Sequence, residues 1–235
     1  MGPKTFAIVI RPRTRYHPQI GLRIDLRGCE MRIQQRNKVI FVHVPRTGGT
    51  SVELAMDQWP NQDHVRAKLR KHETAAQIRK WLGADKFDDC LRVSIVRNPW
   101  DQMVSCFHWW QQKAPHFSTS RNVAKFVDGL TFEVFMQSQL GMRLNEFPMS
   151  TMDWLTDRRG NLLVDFICRT ETLNDDYLGL CSKLRDGGLE IPETGLPVAN
   201  ATERSKDYRS YYDEHSKQLV SERFARVIKQ FGYRF

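Results

Sequence analysis

Two short apolar runs, each broken at its end and followed by a helix-like stretch, constrain this chain more than any other feature. Val39-Ile-Phe-Val-His-Val44 is nearly continuous in β-prone residues and is stopped by Pro45. Such a run belongs to a strand buried on both faces, as in a parallel sheet. Thr47-Gly48-Gly49-Thr50-Ser51 follows, then a helical stretch from Val52 to about Gln58. Leu91-Arg-Val-Ser-Ile-Val96 repeats the pattern, with a break at Arg97-Asn98-Pro99 and a helix from Trp100 to Trp110. Pro99 suits the first helical position, where its missing N–H has no intrahelical partner to lose. Leu162-Leu-Val-Asp-Phe-Ile-Cys168 reads as a third strand, with a helix from about Glu171 to Arg185. Strand–loop–helix units in series predict an α/β domain with three P-loop-like layers, a central mainly parallel sheet flanked by helices.

Further helices are expected over 74–82, 121–128 and 131–140. Asp186 to Asn200, rich in Gly and Pro, reads as a loop. Leu219, Val220, Phe224, Val227, Ile228 and Phe231 recur at helical spacing, so an amphipathic C-terminal helix packs on the body. Residues 1–37 form a basic, Arg-rich arm with prolines at 3, 12 and 18 and room for a hairpin. The domain proper is expected over 38–235.

No apolar run approaches the roughly 20 residues that span a bilayer. Phe6 to Ile10 is too short for a secretory signal and lacks a small-residue cleavage site. Phe6 stands where a myristoylation motif requires Ser or Thr. The expectation is a soluble, cytoplasmic protein. Five cysteines, at 29, 90, 106, 168 and 181, show no metal-ligand spacing and are expected to be reduced and mostly buried, with no metal site. The net charge of +9 calls for an anionic partner: nucleic acid, an acidic glycan or a polyphosphate nucleotide. Charge alone does not choose among them.

The loop Arg46-Thr47-Gly48-Gly49-Thr50-Ser51 is equipped for a phosphate or sulfate. Adjacent glycines let the backbone turn tightly and approach a ligand. The N–H groups at the helix start then converge where the helix dipole favours negative charge. Arg46 adds a charge, and Thr47, Thr50 and Ser51 add hydroxyls. It is not a Walker A loop, which needs separated glycines and a Lys. Taken alone, the segment is equally well read as an ordinary strand-to-helix turn. Arg97, at a strand end, and Ser105, about two helical turns on, form a second candidate anion site at the carboxyl end of the sheet, although this segment taken alone is better read as an arginine that caps a neighbour and a buried helix serine.

Together, Phe41-Val-His-Val-Pro-Arg-Thr-Gly-Gly-Thr-Ser51 and Val96-Arg-Asn-Pro-Trp-Asp-Gln-Met-Val-Ser105 closely resemble the two PAPS-binding motifs of the sulfotransferase superfamily. The likeness is to the branch that holds carbohydrate sulfotransferases and many small bacterial members (sulfotransferase family 2). It runs over about residues 38–235. Lys71-His-Glu-Thr-Ala-Ala-Gln-Ile-Arg79, Phe166-Ile-Cys-Arg-Thr-Glu171, Asn200-Ala-Thr-Glu-Arg204 and Phe231-Gly-Tyr-Arg-Phe235 are similar to later family segments.

The resemblance implies a donor, PAPS (3′-phosphoadenylyl sulfate), that leaves as PAP. Arg46 to Ser51 would cradle its 5′-phosphosulfate, and Arg97 with Ser105 would hold its 3′-phosphate. Asn200 and Arg204 would lie in the loop over the nucleotide. The family usually carries Lys at the position of Arg46. Arg keeps the charge but presents a planar fork in place of a point charge.

Sulfuryl transfer to a hydroxyl also needs a base. His72 is the first candidate and Glu73 the alternate, since an imidazole titrates near neutrality. His43 reads as a core histidine. His108, Trp109 and Trp110 can face an acceptor or simply pack. Asn200-Ala201-Thr202 is also a formal N-glycosylation sequon. The partners expected are the nucleotide and a small-molecule or glycan acceptor, with no specific nucleic acid. Two other readings stand beside this one. The first is a catalytically degenerate protein that binds PAP or a polyanion. The second is a nucleotide-dependent phosphoryl transferase, against which the missing Walker Lys argues.

Overall fold

The computed structural model describes residues 16–17, 22–23, 33–34, 38–60, 72–112, 129–137, 150–197, 199 and 207–235. In the N-terminal arm, β1 (Tyr16–His17) and β2 (Leu22–Arg23) pair antiparallel as a hairpin. The main sheet holds β3 (Ile33–Gln34), β4 (Val39–Val42), β5 (Leu91–Val96) and β6 (Phe166–Arg169), in that order. Strands β4, β5 and β6 run parallel, with Val39 opposite Leu91 and Val93 opposite Phe166. Strand β3 joins β4 antiparallel, so the arm reaches the sheet before residue 38.

All four residues of β4 are buried, as a strand covered on both faces requires. Their alternation sorts them into two cores. Val39 and Phe41 pack with Val93 and Ile95 beneath α1 (Gly49–Met56) and, further along the chain, Leu173–Asp186. Ile40 and Val42 face the opposite layer. That layer holds α2 (Ala75–Leu82), α3 (Ala84–Asp88), α4 (Pro99–Gln112), α5 (Phe132–Gln137) and α6 (Thr151–Leu155). Helix α7 is Leu173–Asp186, and α8 (Glu214–Arg223) and α9 (Ala225–Phe231) close the chain. The result is a mixed α/β domain whose parallel strands are sandwiched between helices.

Local signals explain most boundaries. Thr74 caps α2 with a reciprocal Thr74–Gln77 box, and Asp213 caps α8. Gly232, in the left-handed region, ends α9. Three details differ from the sequence expectation. Helix α1 begins at Gly49, so the glycine pair itself is the helix start. The third strand begins at Phe166 rather than Leu162, because Leu162 bridges back to Thr156 and stays 42% exposed. The C-terminal helix turns at Phe224, which keeps Val220, Phe224 and Val227 all in the core. The helix expected over 121–128 lies outside the described residues. The described part of the 186–200 loop, Gly187 to Pro197 and Ala199, holds no strand or helix.

Candidate functional site

The carboxyl ends of β4 and β5 deliver the two motifs to one place. After β4 the chain passes through Arg46, whose φ is +64°, and Gly48, whose φ is +87°. A left-handed arginine costs about 1–2 kcal/mol, so neighbours must hold it. Arg97 Nη1 donates to the Arg46 carbonyl at 2.8 Å, and Gln102 Nε2 donates to the Pro45 carbonyl at 2.9 Å. Thr47 Oγ1 donates to the Val44 carbonyl at 2.8 Å, and Thr170 Oγ1 donates to the Thr47 carbonyl at 2.8 Å. The loop is therefore pinned from β4, α4 and the turn after β6.

Glycine is required at both central positions. A Cβ on Gly48 would sit 2.8 Å from Leu173 Cδ2, and one on Gly49 would sit 2.5 Å from the His43 ring. Helix α1 starts with no side-chain cap and no acidic residue in its first turn. Its N-terminal N–H groups and dipole thus favour an anion, with the hydroxyls of Thr50 and Ser51 in the same turn.

Arg46 and Ser105 meet directly. The guanidinium donates to Ser105 Oγ from Nε at 3.3 Å and from Nη2 at 3.1 Å. Ser105 lies in α4 and is 3% exposed. Arg97, also buried, forms an ion pair with Asp101 through Nε at 2.7 Å and Nη2 at 2.6 Å. Arg46, Arg97 and Ser105 are thus one cluster, with Arg97 bridging to the loop through its Nη1.

His72 lies against the end of β4, next to His43. Its Nδ1 lies 3.1 Å from the His43 carbonyl. A carbonyl only accepts, so Nδ1 carries the hydrogen and Nε2 is the basic nitrogen of the neutral ring. His43 is buried, as a core histidine should be, and its Nδ1 is 2.8 Å from Glu53 Oε1. No hydrogen bond joins Glu73 to the loop among the described residues. Asn200 and Arg204 lie outside the described residues.

His108 Nε2 is 2.9 Å from Tyr211 Oη, and Trp110 is buried in the core with Trp109 packed edge-on at 5.3 Å. The second motif is braced from the C-terminus. Glu171 accepts from the Asn98 N–H at 2.6 Å, and Asn98 Nδ2 donates to the Arg234 carbonyl at 2.9 Å. Gln102, Asp101, Thr170 and Glu53 support the site; the first three lie inside the family-like segments without being singled out there, and Glu53 lies outside them. Each is recognised only through the partner the fold brings to it.

A family model described as "Sulfotransferase family" matches residues 30–234. No curated protein sequence matches the chain. Among solved structures, the crystal structure of the mouse sulfotransferase SULT7A1 complexed with PAP superposes with a TM-score of 0.51. It is 14% identical, and the match covers 82% of this chain and 85% of that one, so the likeness is one of fold.

Proposed function

The chain belongs to the sulfotransferase family, and from that premise we propose that it moves a sulfuryl group from PAPS to an acceptor hydroxyl by in-line displacement, with a carbohydrate as the acceptor class. One observation carries the proposal: the two anion-binding motifs, far apart in sequence, are joined by the Arg46–Ser105 and Arg97–Arg46 hydrogen bonds beside the start of α1. A nucleotide with phosphate at both ends of its ribose needs two such ends at one site. The mouse structure of similar fold holds PAP, which is consistent with that donor.

In this reading, Arg46 to Ser51 bind the 5′-phosphosulfate, and Arg97 with Ser105 bind the 3′-phosphate. His72 Nε2 takes the acceptor proton as the acceptor oxygen attacks sulfur. The bond between sulfur and the bridging oxygen breaks, and PAP leaves with the electron pair. Arg46 and the α1 N–H groups stabilise the charge that grows on the leaving phosphate. His72 is preferred to Glu73 because the bond at Nδ1 leaves Nε2 as the ring nitrogen that can accept a proton.

The test is a transfer assay with PAPS over a panel of sugars, phenols and alcohols, read by mass. A gain of one sulfuryl group on a sugar is expected. Binding of PAP with no transfer to any acceptor would replace this reading with a degenerate nucleotide-binding one.

A further inference from the structure

His43 and Glu53 take no part in donor binding in the reading above, yet they link the donor loop to the base. Glu53 lies within α1 but is only 7% exposed, and His43 is 4% exposed. A buried carboxylate needs a hydrogen-bonded partner. His43 Nδ1 supplies it at 2.8 Å. The same imidazole fills the space that Gly49 leaves by lacking a Cβ. The main-chain carbonyl of His43 holds His72 Nδ1, and the two rings pack edge to face, 4.6 Å apart at 80°. Trp154, buried on α6, meets the His72 ring edge-on at 6.3 Å. His72 is therefore set against the residue that Glu53 anchors to the first helix of the donor loop.

We propose that Glu53 and His43 are positioning residues for sulfuryl transfer. Their pairing fixes His43 against α1, and the fixed His43 holds His72 in the Nδ1–H tautomer at a constant distance from the donor loop. The proposal rests on the reading of His72 as the base. It adds that a carboxylate which touches neither donor nor acceptor controls how well that base works.

The test uses Glu53→Leu, which keeps the side-chain bulk and removes the acceptor, and Glu53→Gln, which keeps an acceptor oxygen. With PAP bound, nitrogen-15 NMR of the histidines should find wild-type His72 as the Nδ1–H form. Glu53→Leu should populate the other tautomer and lower kcat at least about tenfold, as displacement of a catalytic group does. The Kd for PAP should change by less than about threefold, below half a decade of affinity. Glu53→Gln should recover most of the loss.

An unchanged His72 tautomer in Glu53→Leu overturns the proposal. So does a fall in kcat that tracks equal losses in PAP affinity and melting temperature, with Glu53→Gln no better than Glu53→Leu. Should Glu53→Leu fail to fold, Glu53→Asp withdraws the carboxylate by one methylene and is read the same way. The tautomer readout needs no acceptor. A wild-type protein that transfers nothing, but whose His72 responds as expected, would sink the enzymatic reading and leave the positioning intact.

Discussion

The Arg46 guanidinium is bound to Ser105 Oγ by two of its nitrogens, Nε and Nη2, across 59 positions of sequence. That contact makes the two motifs one site before any ligand arrives. A donor phosphate must compete with it or add to it. Ser105→Ala should therefore weaken PAP binding roughly tenfold to a hundredfold, since a hydrogen bond with a charged group contributes about 1.5–3 kcal/mol. Calorimetry checks this. Unchanged affinity would remove Ser105 from the donor site.

Arg46 is asked to do different things in binding and in turnover. Arg46→Lys keeps the charge but loses the planar fork that holds Ser105 by two nitrogens, so PAP affinity should fall, though by less than in Arg46→Ala. Arg46→Ala should slow transfer by about 10²–10³, the usual cost of losing one charge-stabilising donor. Single-turnover kinetics at saturating PAPS separates the two. Equal rates for Arg46→Ala and wild type would contradict the role.

Gly49 is held small by the His43 ring 2.5 Å from where its Cβ would be. Gly49→Ala should destabilise the fold by about 1–3 kcal/mol, as overpacking does, and should weaken PAP binding because the loop must move. Gly179 is the control. It lies inside α7 with nothing within 4 Å of an added Cβ. Gly179→Ala should stabilise by about 0.5–1 kcal/mol. Thermal melts of the two variants should move in opposite directions.

Alkali should unfold the protein through its buried thiols. Burial pushes Cys106 and Cys168 up to about 12 from an ordinary value of 9.0. The unfolded chain therefore ionises first. The stability these groups contribute is fully present below pH 9 and is lost as pH rises from 9 towards 12. Tyr177 and Tyr233 are raised by burial as well and act in the same direction. Denaturant melts between pH 8 and 11, values chosen to span the thiol range of about 8–9 and above, should show a falling midpoint. A flat profile would mean that these thiols are not sequestered.

The sequence carried the sheet and both motifs plainly. Apolar continuity marked Val39–Val42, β-prone residues marked Leu91–Val96, and Pro45 and Pro99 punctuated them. Leu162–Asp165 misled because three apolar residues, Leu162 to Val164, precede β6. Only the ladder shows that Asp165 instead turns its carboxylate onto Arg92. The turn at Phe224 has no Gly or Pro to announce it and follows from core packing. In the candidate site, residue types and spacing singled out Arg46, Arg97 and Ser105, which the fold brings together. Types and spacing could not give the direction of Arg46, which depends on a contact 59 positions away, nor the inward turn of Thr47 and the pairing of Glu53 with His43, which depend on how the loop folds back on β4.

Titration calorimetry of PAP against ATP, on wild type and on Arg97→Ala, tests the donor assignment most directly. Wild type is expected to bind PAP well and to prefer it to ATP, and Arg97→Ala to lose most of this affinity while still folding. Binding of ATP with no preference for PAP, or PAP affinity undiminished in Arg97→Ala, would contradict it.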